Sequence, residues 1–330
     1  MKFSIVITTY NRLSLLRRAI ASSLAQTVPC EVIVIDDCSS DDTEAYVRSL
    51  GDRVLYHRNA TNQGHSAAVN LGVQKASGDW IKPLDDDDYL APDCLEGMLA
   101  AIAQRPEAVI CSCQAAQVNE QEVELSRTRR VGTRDSFYVP QEDIHYGMLL
   151  EWLPFGTPAQ VAFRRDAFLQ SGGWDSSLDT NCDDIDSWIR IAQYGDAIFL
   201  NRCLAYRTVW PQAYNRRFPV QKRFETNLLM KQKIYQAVSD KHRQQVPPFA
   251  AIHNYLRLHW SLVALKQRQL GPAIALMGPA IASWPAWQLL LQARAGGAKA
   301  AAKSAQTIQQ IPLLPSSPGP AAALGSGNGE

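Results

Sequence analysis

The first hundred residues alternate between short apolar runs and amphipathic stretches. Residues 3–8 form a β-branched run ended by Thr9-Tyr10-Asn11, which predicts a buried strand. Leu13, Leu16, Ile20 and Leu24 then recur at helical spacing, and that helix ends near Gln26-Thr27, ahead of Pro29. Residues 31–35 predict a second strand with an all-apolar centre, running into Asp36-Asp37-Cys38-Ser39-Ser40. A short helix over 41–50, a third strand at Val54-Leu55-Tyr56, a loop over 59–64 and a helix over 66–76 follow. Gly78 ends that helix, and residues 79–84 predict a fourth strand leading into Asp85-Asp86-Asp87-Asp88. Such alternation implies an α/β fold, a Rossmann-like, mostly parallel sheet flanked by helices. Ligands of such sheets bind beyond the carboxyl ends of the strands. Thr8-Thr9-Tyr10, Asp36-Asp37 and the four aspartates each fall at that end of a predicted strand, so one edge gathers three polar clusters.

Further along, a helix runs from Pro92 to about Gln104, and 108–115 reads as a strand. Residues 118–147 mix charges and turn formers without a clear period, and read as a less regular insertion with room for a strand pair. Val161-Ala162-Phe163 predicts a short strand, and Arg164-Arg165-Asp166 opens a small helix closed by Gly172-Gly173. Ile185, Trp188, Ile189 and Ala192 mark a helix whose first turn carries Asp183 and Asp184. Residues 197–200 and 204–206 predict two late strands. From about Val220 the pattern is wholly helical, and from about Ala295 it is Ala/Gly/Pro/Ser-rich. The expected organisation is a sheet domain over 1–215, a helical C-terminal extension over 216–294, and a disordered tail over 295–330.

Composition narrows the function classes. Lys plus Arg (33) nearly balance Asp plus Glu (32), for a net charge of +1, and no basic stripe points to nucleic acid. The apolar run at the N-terminus is too short for a signal peptide. Seven cysteines, an odd number with no CxxC pair, suit a reduced cytoplasmic protein better than a disulfide framework or a zinc site. Residues 269–293 hold no charge, a length that could cross a bilayer, but Pro272, Pro279 and Pro285 favour two or three short buried helices. Peripheral contact with the inner face of a membrane through this region stays open.

Four consecutive aspartates are unusual chemistry. Neighbouring carboxylates about 4 Å apart repel by roughly 1 kcal/mol per pair even at the dielectric of water. The stretch is therefore either a solvated loop or a cation holder, and hard ions such as Mg²⁺ or Mn²⁺ prefer these oxygens.

Taken in order, the motifs resemble those of the family 2 glycosyltransferases, inverting enzymes of the GT-A fold. The resemblance covers roughly residues 2–209. It is carried by Ser4-Ile5-Val6-Ile7-Thr8-Thr9-Tyr10-Asn11-Arg12, Val32-Ile33-Val34-Ile35-Asp36-Asp37-Cys38-Ser39, Asn62-Gln63-Gly64 with Asn70-Leu71-Gly72, and Leu84-Asp85-Asp86-Asp87-Asp88-Tyr89-Leu90. Pro92-Asp93, Arg164-Arg165, Gly172-Gly173-Trp174-Asp175 and Asp183-Asp184-Ile185-Asp186-Ser187-Trp188-Ile189-Arg190 complete it.

The resemblance implies a nucleoside-diphosphate sugar donor and a glycan, lipid-linked or protein acceptor, with Mn²⁺ or Mg²⁺ as cofactor. Thr8, Thr9 and Tyr10 would pass polar groups along the nucleotide, Asp37 would accept a base N–H, and Asn62, Gly64 and Asn70 would border the pocket. Ordinary turn and cap roles compete at Asn11 and Asp37. Asp85, Asp86 and Asp87 overlay the DxD motif. Asp85 or Asp86 would meet the ribose or the ion and Asp87 would bind the metal, with the register open by one residue and Asp88 free to cap the helix near Pro92. Asp184 matches the general base that takes the acceptor proton; capping of its own helix is the rival role. Asp186 and Arg190 are spaced for an ion pair. Trp152, Trp174 and Trp188 suit sugar stacking or core packing alike.

Two departures stand out. Val69 occupies a position where the family often has Arg. Tyr206-Arg207-Thr208-Val209-Trp210 lacks the family's late His, so Arg207, Arg216, Arg217 or a water would have to substitute. A sugar-phosphate nucleotidyltransferase is disfavoured because no glycine-rich basic loop follows the first strand. A non-catalytic module binding nucleotide-sugars or glycans remains the rival from another class.

Overall fold

The computed structural model describes residues 1–132, 134–178, 182–210, 218–295 and 308–313. Strands β1 (Phe3–Thr9), β2 (Cys30–Asp36), β3 (Leu55–Arg58) and β4 (Trp80–Asp85) run parallel, with β1 between β2 and β4 and β3 outside β2. Helices α1 (Leu13–Leu24), α2 (Thr43–Ser49) and α3 (His65–Lys75) connect them. Thr8 pairs with Ile35 on one side and Asp85 on the other, and Thr9 pairs with Asp36. The exits of three strands thus share one edge.

Side chains of a strand alternate between faces. Ile5 and Ile7 pack with Leu16 and Ile20 of α1 and with Leu95 and Met98 of α4 (Cys94–Gln104). Val6, Ile33 and Ile35 pack with Val69 and Val73 of α3. Burial on both faces is why these strands read as unbroken apolar runs. Contact between α3 and the sheet is close at Gly72, where an added Cβ would sit 2.3 Å from Val6 Cγ1.

Beyond β4 come β5 (Tyr89–Leu90), β6 (Ala108–Val118), β7 (Glu124–Arg127), β8 (Ser136–Val139), α5 (Gln141–Leu149), β9 (Val161–Arg164), α6 (Arg165–Gln170), α7 (Asp183–Ile191) and β10 (Asp196–Thr208). Strand β9 lies antiparallel between β4 and β6, β10 is parallel to β6, and β8 is antiparallel on the far side of β10. The two predicted late strands are one. Their polar break, Asn201-Arg202, is a bulge where the pairing with β6 shifts register, not a turn. The insertion holds two short strands that do not pair with each other, β7 on β6 and β8 on β10, and also helix α5. That helix has no period in sequence because residues 143–149 are buried all round.

The C-terminal extension is helical: α8 (Val220–Ala237), α9 (Asp240–Arg243), α10 (Phe249–Lys266), α11 (Leu270–Met277) and α12 (Trp284–Ala295). Phe224, Met230, Ile234 and Leu256 join the same apolar cluster as Ile144 and Trp188, so the core runs on across residues 215 and 216. Residues 269–293 form short helices as expected, but α11 and α12 are exposed on one side rather than buried, and meet at 117°. No single helix among the described residues is long and apolar enough to cross a membrane. Part of the expected disordered tail is ordered: β11 (Ile311–Pro312) adds to β8, and the Gln309 N–H donates to Asp143. The rest of that tail, with Arg216 and Arg217, lies outside the described residues.

Candidate active site

A cleft of about 1060 Å³ opens over the shared strand edge, bounded by the exits of β1, β2 and β4, the start of α7, and residues of α8 and α10. Thr8, Thr9, Tyr10, Asp37, Asn62, Gly64, Asp85, Asp86, Asp87 and Asp184 all line it. Asn70 does not. Its side-chain N–H donates to the Trp174 carbonyl and its Oδ1 accepts the Trp174 N–H, at 2.9 and 2.8 Å, which ties α3 to the loop before α7. Asn70 is thus a tether, and its expected place at the pocket border is corrected by that pairing.

Asp37 faces the cleft but also holds its rim. Its carboxylate accepts from Asn59 Nδ2 and from the backbone N–H groups of Gln63 and Gly64, all at 2.8–3.1 Å. Gly64 has φ +92°, a conformation open to glycine, and this lets the chain turn into α3. Asp36, one residue earlier, accepts from Tyr56 Oη and from the Ser39 N–H, so it supports the turn.

The four aspartates divide their work. Asp86 turns back to β1, accepting from Thr9 Oγ1 at 2.8 Å and from Arg12 Nη1 at 3.2 Å. Asp85, Asp87 and Asp88 instead bring carboxylate oxygens within 4.8 Å of one another, a group able to hold a cation. Asp88 does not cap a helix as its alternative role supposed. It is 2% exposed and accepts the Thr208 N–H at 2.9 Å, and Asp93 stands at the start of α4. Burial raises the Asp87 and Asp88 carboxyls, and the neighbouring acids raise them further. Burial, partly offset by Arg12, pushes Asp86 up to about 6. For Asp85 burial acts upward too, but hydrogen bonding and charge from His65 win and hold it below the usual range. An all-oxygen donor set of three crowded carboxylates fits a hard divalent ion.

Sequence reasoning missed His65, the first residue of α3. Its Nε2 lies 3.1 Å from Asp85 Oδ1 and its Nδ1 3.4 Å from Asp183 Oδ2, so one imidazole joins the β4 exit to the start of α7. Burial favours the neutral ring, but the two carboxylates outweigh it and hold the pKa well above the usual range. Of the groups expected to stand in for the absent histidine, Arg207 lines the cleft and its charge acts on Asp85 and Asp88, while Arg216 and Arg217 lie outside the described residues. A usable signal for His65 was its place directly after Asn62-Gln63-Gly64. Trp210 was missed as well, and its Nε1–H donates to Asp87 Oδ2 at 2.9 Å.

Asp183 and Asp184 open α7 after Cys182, whose φ is +72°. Asp183 is buried and accepts from Ser66 Oγ. Asp184 is half-buried on the cleft, with Oδ1 accepting its neighbour's Ile185 N–H at 2.7 Å. Burial first, and then the Asp183 charge, push it up to about 7. Asp186 pairs with Arg190 as the spacing suggested and also with Lys233. Trp174 and Trp188 are core residues, 2% and 1% exposed, and Trp152 packs edge-on against Tyr146. The far wall is C-terminal: Arg223, Asn227 and Lys231 of α8 and Trp260 of α10, none of which carried a motif.

Residues 4–172 match the family model described as Glycosyl transferase family 2. An uncharacterized glycosyltransferase of Haemophilus influenzae is 30% identical over 193 residues, 58% of this chain and 62% of that protein. A GalNAc(5)-diNAcBac-PP-undecaprenol beta-1,3-glucosyltransferase of Campylobacter jejuni is 40% identical over 109 residues, 32% of this chain and 34% of that one. The chain thus spans less than two thirds of the length of these curated relatives. Among solved structures, S. aureus TarS in complex with UDP-GlcNAc superposes with a TM-score of 0.57 at 15% identity, over 84% of this chain and 91% of that one. A mannosyltransferase from Pyrobaculum calidifontis in complex with GDP-Man and Mn²⁺ gives 0.55 at 18%, over 92% and 83%. These two show a shared fold. With about half of its length matching the family model and with the strand-edge cleft already described, the chain belongs to glycosyl transferase family 2.

Proposed function

We propose that this chain moves a sugar from a nucleoside-diphosphate sugar to a hydroxyl of a glycan, lipid-linked or protein acceptor, with inversion at the anomeric carbon. Asp184 carries the proposal. It is a carboxylate on the cleft wall, on a different element from the acidic group of the strand edge, and its pKa of about 7 suits proton uptake near neutral pH. In this reading Asp184 takes the acceptor proton as the oxygen attacks, and no covalent enzyme intermediate is needed.

Donor binding falls to the strand edge. Asp37 and the Asn62 to Gly64 turn receive the base, Thr8 to Tyr10 follow the nucleotide, and Asp86 meets the ribose while Thr9 and Arg12 fix its orientation. Asp85, Asp87 and Asp88 would hold Mn²⁺ or Mg²⁺, with His65 orienting Asp85 and Trp210 orienting Asp87. A bound divalent ion would supply Lewis-acid stabilisation of the departing diphosphate. The donor class is supported by the two neighbours of like fold that were solved with UDP-GlcNAc and with GDP-Man and Mn²⁺.

The test is a panel of UDP-, GDP- and dTDP-sugars with Mn²⁺, read by thermal shift and by release of nucleotide. Stabilisation by one donor together with slow hydrolysis supports the enzyme. Stabilisation with no release under any acceptor would favour a donor-binding module, and no response at all would overturn both.

A further inference from the structure

A helix that packs on a soluble core by one side ordinarily presents polar residues to water on the other. Helices α11 and α12 do the reverse. They rest on α10 through Ala273, Leu276, Ala286 and Leu290, all buried, while their outer side carries Leu270, Ile274, Ile281, Trp284 and Leu291 at 58–71% exposure. Leu270, Ile274 and Trp284 are the three most exposed large apolar side chains among the described residues. Two alanines and two leucines face inward while five bulky apolar residues face outward, an arrangement without benefit in water. Exposed apolar clusters of this kind mark contact surfaces.

Charge indicates what the surface meets. From Lys241 to Gly329 there is no Asp or Glu, and eight basic residues stand there, so those 89 residues carry +8. Residues 1–240 carry −6. Two of the basic residues, Lys266 and Arg268, are exposed at the turn into α11, beside the apolar face. An apolar face with a basic border and no carboxylate complements a sheet of anionic headgroups over acyl chains. Symmetric pairing with a second copy would set Lys266 and Arg268 against their own like.

We propose that α11 and α12 lay this chain on an anionic lipid surface, with Ile274, Ile281 and Trp284 entering the acyl boundary and Lys266 and Arg268 at the lipid phosphates. The two helices meet at 117°, so they form a bent pair that lies in the interface. Helix α10, beneath them, also gives Trp260 to the cleft wall, which links the docking face to the far wall of the cleft. Docking itself does not depend on the proposed reaction, and can hold whether or not sugar transfer does.

The experiment is flotation of the full chain with vesicles of phosphatidylcholine alone and of phosphatidylcholine mixed with phosphatidylglycerol. The chain floats with the mixed vesicles, and high salt releases it. Ile274→Glu with Trp284→Glu weakens binding by roughly a hundredfold, about tenfold per lost side chain. Lys266→Gln with Arg268→Gln, which leaves the apolar face intact, weakens it roughly twentyfold. Far-UV circular dichroism and the melting temperature stay as in the wild type, because all four residues are exposed. Failure to float, equal binding to both vesicles without a salt effect, or flotation of both double variants like wild type would overturn the proposal. A dimer that Ile274→Glu dissolves, in a protein that ignores vesicles, would reassign the face to a second copy.

Discussion

Asp184→Asn separates the proposed chemistry from stability, because the same carboxylate carries both. Its pKa of about 7 means that the folded chain binds this proton more tightly than the unfolded chain does. Below about pH 4 the residue is protonated in both states and has no effect on stability. As pH rises toward 7 the unfolded chain ionises first, stability falls, and above about 7 the full penalty is present. Three pKa units would amount to about 4 kcal/mol. The partly exposed position and solvent relaxation around the cleft reduce this to about 2 kcal/mol, or roughly 5 °C in a chain of this size. Asparagine keeps an oxygen for the Ile185 N–H and removes the charge next to Asp183. Asp184→Asn in chelator should therefore melt about as high as wild type at about pH 3.5 and roughly 5 °C higher at pH 8, while nucleotide release with donor and acceptor falls by at least about a thousandfold. In the wild type, kcat/KM should climb with pH to a plateau above about 7. The assay is paired thermal melts across pH with turnover at pH 8. A melting difference that does not change with pH, or one that is negative at pH 8, refutes the buried-charge reasoning. Normal turnover refutes the base.

The other predictions concern neighbours. Asp87→Asn and Asp88→Asn should each weaken Mn²⁺ binding at least about tenfold by calorimetry, yet raise the melting temperature of the metal-free chain, since each removes a charge from a crowded buried group. His65→Ala should lower kcat by about 10–100-fold and also lower the melting temperature near neutral pH, because it strips Asp85 and Asp183 of the cation that compensates them. Asn70→Ala should cost about 2 kcal/mol in denaturant unfolding and leave donor KM unchanged, as its lost bonds are to the Trp174 backbone. Gly72→Ala should destabilise by about 1–3 kcal/mol despite a better helix former, because its methyl would collide with Val6.

The strand-edge side of the cleft was legible because its positions follow from the backbone. Strands β1, β2 and β4 are apolar runs buried on both faces, and the parallel topology leaves their exits on one edge, so Thr9, Asp37 and the aspartates had to converge. Which aspartate does what was not legible. Asp86 and Asp88 are chemically identical neighbours, and their roles are decided by Thr9 and Thr208, residues 77 and 120 positions away. His65 was hidden for the same reason: its partners lie on β4 and α7, and only the closed fold brings them together. Helix α5 and the docked residues 308–313 were obscured differently, the first by burial on all sides and the second by sitting within a low-complexity tail.

A physical boundary follows. Where sheet geometry dictates the placement, as at the strand exits, a reading of hydrophobic period finds the site. The far wall is made by packing between helices that share one core with the sheet, and Arg223, Lys231 and Trp260 reach the cleft through that packing alone. Lys231 is instructive, since it sits mid-helix at 6% exposure with its Nζ on the Leu149 carbonyl and on Glu151. Period alone would place such a lysine in solvent, yet a buried ammonium needs those two oxygens, and they come from the end of α5. The far wall is thus written in contacts between α5, α8 and α10, whereas the strand edge is written in the order of strands. Under the proposed function, substitutions at Arg223 and Trp260 are therefore expected to change acceptor choice before they change donor affinity.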